Sequence, residues 1–214
     1  MIKAALFDLD GVVLDTEKQY SQIWGEIGQR FHPEIPNFEM VIKGQTLTQI
    51  FANHFANVEL QKQVEDYLNH CEANMQYNFI LGADKFILSL RQQGIKTALV
   101  TSSNNTKMRN VYNAHPNFLQ LWDTIVTADM IQHSKPDPEC FLLAAHKLNA
   151  NADECLVFED SIHGLQAGRA AQMKVIGLAT TYPRNVITDK ADIVIDNFSE
   201  QQTQQILLDI QTIK

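Results

Sequence analysis

Residues 2–15 read IKAALFDLDGVVLD, an apolar run that delivers two carboxylates, Asp8 and Asp10, to its carboxyl end and is closed by Gly11. The run is apolar at consecutive positions rather than alternate ones, which predicts a strand buried on both faces in a parallel sheet. Open α/β sheets bind ligands in the crevice beyond the carboxyl ends of their strands. Two aspartates at such a lip repel each other and lose hydration, so they need a shared proton or cation. A divalent metal ion meets that need.

Outward from this strand the pattern changes twice. For some sixty residues it is helical only. Tyr20, Ile23, Trp24 and Ile27 fall at helical spacing, and a break at residues 32–37 carries Pro33 and Pro36. A short segment with Leu47, Ile50 and Phe51 follows, then a longer one with Val64, Leu68, Cys71 and Met75. From about Gly82 helices and strands alternate: helix 83–93, strand 96–101, helix 105–113, strand 124–127, helix 138–148, strand 154–159, helix 161–171, and strands 174–178 and 193–195. A last helix with Ile206, Leu207, Ile210 and Ile213 is expected to cover the sheet. The alternation predicts an α/β fold, a Rossmann-like parallel sheet with helices on both faces. Residues 1–15 and 82–214 form its core, and 16–81 a small inserted α-helical cap.

The bulk composition narrows the function classes. A chain of 214 residues with 45% hydrophobic content can bury a real core. Its net charge of −8, without clustered Lys and Arg, speaks against nucleic acid as a partner. No apolar run approaches the roughly 18 residues of a membrane span, and no signal-peptide pattern opens the chain. No membrane association and a cytoplasmic location are therefore expected, and no segment requires an obligate protein partner. Cys71, Cys140 and Cys155 form no CxxC pair and read as reduced, mostly packed thiols.

Four strand ends carry polar residues: Asp8 and Asp10; Thr101 with Ser102 and Ser103; Lys135; Glu159 and Asp160. In a parallel sheet they converge on one crevice. Each alone has an ordinary structural reading, as a helix cap, a loop charge or an acid suited to a helix dipole. Together they match the needs of phosphoryl transfer. Asp8 can attack phosphorus, and Asp10 can protonate the leaving group and later activate water. Asp160, with Glu159 behind it, completes an oxygen-ligand site for Mg2+. Thr101, Ser102 and Lys135 are placed to hold the transferring group's oxygens.

The segments FDLDGVVLDTE, VTSS, SKPDP and VFEDSIHGLQAGRAA resemble the haloacid dehalogenase superfamily over the whole chain, and within it the β-phosphoglucomutase-like phosphatase branch. The resemblance implies Asp8 as nucleophile, Asp10 as acid/base and backbone metal ligand, Thr101 and Lys135 on phosphate, and Asp160 with Glu159 at Mg2+. It implies substrate contacts from the cap at Lys43, Gly44 and Gln45, with Trp24 either facing substrate or packed in the cap core. An arginine near Leu47 and a histidine near Tyr20, both features of the sugar phosphomutase, are absent. The expected function is a Mg2+-dependent phosphatase of a small phosphorylated metabolite, a sugar phosphate, through an aspartyl phosphate. A sugar phosphomutase is the alternative, and a catalytically silent or phosphorylation-switched binding protein a third reading. His163, Lys107 and Arg109 read as solvated helix-surface residues. Gln172 stands where the family usually carries glycine, a minor departure at a helix end that is tolerated if its backbone is not left-handed.

Overall fold

The computed structural model describes residues 1–201, 203, 204 and 206. The opening run forms β1 (Ala4–Phe7), every residue of which is buried. Four helices follow: α1 (Glu17–Phe31), α2 (Phe38–Val41), α3 (Leu47–His54) and α4 (Val58–Ala73). The alternating part runs α5 (Ala83–Gln92), β2 (Lys96–Val100), α6 (Asn105–Ala114), β3 (Thr124–Val126), α7 (Glu139–Leu148), β4 (Cys155–Glu159), α8 (Ile162–Ala170), β5 (Lys174–Leu178), α9 (Arg184–Ile187) and β6 (Ile193–Ile195). Short 3-10 turns at Phe118–Leu121, Ala128–Met130 and Ala152–Glu154, and the one-turn helix α9, have too few residues to show a period in the sequence.

All strand pairs are parallel, in the order β3-β2-β1-β4-β5-β6. The chain runs outward from β1 on one side and then returns to build the other, so β1 and β4 flank the topological switch point. Phe7 pairs with Leu99 on one side and Phe158 on the other, which brings the ends of β1, β2 and β4 level. Alternate residues of the strands feed two cores. Ala5, Phe7, Leu99 and Phe158 pack under α5 and α6, where the Phe7 and Phe158 rings stack at 4.4 Å. Ala4, Leu6, Ala98 and Val157 pack under α7 and α8. Of the expected last helix, Ile206 is fully buried in the first core; Leu207, Ile210 and Ile213 lie outside the described residues.

The inserted helices α1–α4 hold a hydrophobic cluster of their own, with Ile23, Trp24, Ile27, Phe38, Ile50, Phe55, Val64 and Leu68. The chain enters and leaves this insertion along adjacent paths. Leu14 bridges Phe79 in antiparallel fashion, Asp15 N–H donates to Asn78 O at 2.8 Å, and Ile80 N–H donates to Val13 O at 2.9 Å. Gln172 does not meet the condition set for it: its φ is +59°, in the left-handed region, at the close of α8. The turn there, with Gln172 N–H on Arg169 O and Met173 N–H on Gly168 O, needs that conformation to end the helix and start β5.

Candidate active site

Asp8 follows β1 directly, and its backbone N–H continues the ladder to Phe158 O at 3.0 Å. The register therefore sets Asp8 beside Glu159, the last residue of β4, and between them stands Lys135. Its Nζ donates to Asp8 Oδ1 at 2.6 Å, to Val100 O at 3.3 Å and to Glu159 Oε1, with the side chain 2% exposed. The loop reading of Lys135 is thereby set aside, since a lysine this deep is tolerated only among charges of opposite sign. Burial works against its ammonium, but Asp8 and Glu159 outweigh that and hold it above the ordinary lysine range. Burial pushes the Asp8 carboxyl up to about 7 against the pull of Lys135, with the charges of Glu159 and Asp10 adding to the rise.

Asp10 turns away from β1 on the tight turn that Gly11 closes, with Gly11 N–H on Leu14 O at 2.8 Å. Gly11 has φ +74°, and a Cβ there would overlap Asp160 Oδ2, so glycine is required on both counts. Asp10 Oδ1 accepts from Thr16 Oγ1; Oδ2 accepts from Ser103 Oγ at 3.2 Å and from Lys107 Nζ. Lys107 is thus not solvated as its sequence suggested: it is 4% exposed and ion-paired, while Arg109 is exposed as expected.

Glu159 was expected at the metal, and its placement differs. It is wholly buried and faces away from the cavity: Oε1 accepts from Lys135, and Oε2 from Asp160 N–H, Ser161 N–H and Ser161 Oγ, each at 3.0 Å. Protein donors satisfy both oxygens, leaving a carboxylate that fixes the start of α8 rather than one offered to a cation. Gly164 leaves it room, since a Cβ there would overlap the Glu159 carboxyl. Asp160 does face the cavity, with Thr181 Oγ1 donating to Oδ2. Burial, with the charges of Glu17, Glu159 and Asp8, holds its carboxyl well above the usual carboxylate range.

Thr101 is buried behind the cavity wall and accepts Ser103 N–H at 3.0 Å. That amide is consequently engaged rather than free for an anion, and α6 begins two residues later, capped by Asn104 on Lys107 N–H at 2.9 Å. Ser102, Ser103 and Asn104 form the near wall of a cavity of about 150 Å³. Asp8, Asp10, Lys107, Lys135 and Asp160 form its floor; Tyr20, Trp24, Lys43, Gly44, Gln45 and Glu72 of the insertion form its roof. Trp24 serves both expectations, since it is 8% exposed in the insertion's core, 6.2 Å from the Phe38 ring, and also borders the cavity. Lys43 Nζ is paired with Glu17, and its carbonyl accepts from His163 Nδ1 at 2.9 Å, so His163 is a contact between sheet core and insertion.

Acidic and hydroxyl side chains gathered with a buried lysine at the switch point of a parallel sheet define an α/β protein with a polar crevice over its strand ends. The sequence profile of the haloacid dehalogenase-like hydrolases matches residues 5–178, and the chain belongs to that family. It is 28% identical over 211 residues to a validoxylamine A 7'-phosphate phosphatase of Streptomyces hygroscopicus subsp. limoneus, covering 94% of this chain and 96% of the relative. It is 31% identical over 192 residues to a probable pseudouridine-5'-phosphatase of Saccharomyces cerevisiae, covering 82% and 81%. The β-phosphoglucomutase of Clostridium difficile shares the fold, with a TM-score of 0.78, 24% identity and full coverage of both chains.

Proposed function

We propose that this hydrolase is a Mg2+-dependent phosphatase of a small phosphorylated metabolite, a sugar phosphate, working through an aspartyl phosphate on Asp8. The observation that carries the reading is the buried Lys135 on Asp8 Oδ1, which leaves Oδ2 as the attacking atom and sets a cation where phosphate oxygens arrive. Relatives along most of the chain are phosphatases of small phosphorylated compounds, which supports it.

The carboxylates present fit Mg2+. Asp8 and Asp160 face one cavity whose lining carries Asp8, Asp10, Glu17, Glu39, Glu72 and Asp160 against Lys43, Lys107 and Lys135, so acids outnumber cations there. Among the described residues no three His, Cys, Asp or Glu side chains form a cation cage. Mg2+ binds through one or two carboxylates, waters and substrate phosphate, and Asp8, Asp160 and the Asp10 carbonyl are the donors to hold it. When bound it supplies charge stabilisation for the transferring phosphoryl group.

The steps assigned to the chain's own groups are then these. Asp8 Oδ2 bonds to phosphorus as the bond from phosphorus to the ester oxygen breaks, and Asp10 gives that oxygen a proton. Water then attacks phosphorus, Asp10 takes its proton, and the bond from phosphorus to Asp8 breaks to release phosphate. Lys135 and Ser102 hold the equatorial oxygens, with Thr101, which lies behind the wall, fixing the Ser102–Ser103 turn rather than touching phosphate itself. Lys43, Gly44, Gln45 and Trp24 meet the leaving group when the cap, residues 16–81, closes over the core.

A phosphomutase must also grip a second phosphate. Here every lysine of the cavity is already matched: Lys43 to Glu17, Lys107 to Asp10, Lys135 to Asp8 and Glu159. No arginine lines the cavity among the described residues, which favours hydrolysis. The deciding experiment is phosphate release from a panel of sugar phosphates with Mg2+ and with EDTA, alongside Asp8→Asn. Release that needs Mg2+ and falls by at least about 10³-fold in Asp8→Asn supports the reading. Isomerisation of a hexose 1-phosphate without phosphate release overturns it in favour of the mutase.

A further inference from the structure

Lys107 is a buried cation that the steps above do not use. It is the third residue of α6, and side chains of a first helical turn lean back toward the helix start, here toward the strand ends. A cation at that end of a helix opposes the macrodipole, so it needs its own compensation. It has two partners. Nζ is ion-paired with Asp10 Oδ2 and stands 4.3 Å from the centroid of the Tyr20 ring. Tyr20 OH donates in turn to Glu72 Oε1 at 2.7 Å. Asp10, Ser103 and Lys107 belong to the sheet core, whereas Tyr20 on α1 and Glu72 on α4 belong to the insertion. The ammonium thus touches both the acid/base and the insertion's roof.

We propose that Lys107 is a positioning residue for Asp10: it holds the carboxyl toward the leaving group and seats Tyr20 and Glu72 against it, so Asp10 is fully aligned only when insertion and core meet. The proposal rests on the phosphatase reading. A purely structural ion pair would stabilise the fold without acting through Asp10. A positioning residue acts through Asp10 alone, and the difference is measurable.

The test compares wild type, Lys107→Met, Tyr20→Leu, Asp10→Asn and the Lys107→Met/Asp10→Asn double variant, each with Mg2+. Two esters are used: the best sugar phosphate of the panel, and p-nitrophenyl phosphate, whose leaving group departs without a proton. Lys107→Met is expected to lower kcat/KM, which reads the transfer to Asp8 and not the water attack that both esters share, about 100-fold on the sugar phosphate, as a misplaced catalytic group does, and at least tenfold less on the aryl ester. In the Asp10→Asn background the same change adds less than about threefold, because both act in one unit. Tyr20→Leu gives the same ester preference at about a tenth of the size, and it carries the test if Lys107→Met fails to fold by circular dichroism. Equal losses on both esters, or losses that multiply in the double variant, overturn the proposal alone. No phosphate release by wild type overturns the phosphatase reading and this proposal with it.

Discussion

His163 Nδ1, on α8 of the sheet core, donates to the backbone carbonyl of Lys43 in the insertion at 2.9 Å. Gly44 beside it, at φ +78°, lets the insertion's loop lie directly on Ser161 and His163. A hydrogen bond of this kind contributes about 1 kcal/mol. His163→Ala should therefore raise KM for the sugar phosphate about three- to tenfold, with thermal stability nearly unchanged. An unaltered KM in steady-state assays would show that the contact does not hold the roof over substrate.

Lys135 compensates two buried carboxylates at once. Lys135→Met leaves Asp8 and Glu159 facing each other without a cation, which should cost about 3–5 kcal/mol in urea denaturation. Adding Glu159→Gln removes one of the uncompensated charges and should restore at least about 1 kcal/mol. A double variant less stable than the single would contradict this account of the pair.

At Gln172 a side chain occupies a left-handed backbone, exposed at the end of α8. That conformation costs an L-residue about 1–2 kcal/mol, and glycine escapes it. Gln172→Gly should gain about 0.5–1 kcal/mol, a rise in Tm of about 1–4 °C for a chain of this size. A fall in Tm would mean that the unfolded chain's added freedom outweighs the relief.

The thiols should divide by burial. Burial pushes Cys140 up to about 11 and Cys155 up to about 12, so almost no thiolate exists on either at pH 8. Cys71 is half-buried on α4. Titration with an aromatic disulfide at pH 8 should report one fast thiol in the native protein and three in urea. Two or more fast thiols would show that the sheet core opens readily.

The sheet was legible because its strands are consecutive apolar runs, and the polar residues at their ends had to meet once the strands were parallel. Side-chain direction was harder to read. Glu159 and Asp160 are adjacent acids, yet one points into the protein onto Lys135 and the other into the cavity, and nothing in their order says which. Lys107 did leave a trace, a lysine in the first turn of a helix where the dipole disfavours it. The helix starts at residue 105, where the sequence places it, but nothing in the sequence says that this side chain leans back onto Asp10 rather than out into water. Thr181, which donates to Asp160, lies 21 residues further on with no spacing that marks it.

The two strands of chain that carry the insertion away from the sheet and back are bonded to each other, Val13 with Ile80 and Asp15 with Asn78. They therefore act as one ribbon with a single bending axis, not as two independent swivels. Twist or sidestep of the insertion would break those hydrogen bonds; a swing about the axis keeps them. Lys43 over His163 and Tyr20 over Lys107 both tie the insertion to the core, so a swing of the insertion as one body would release both.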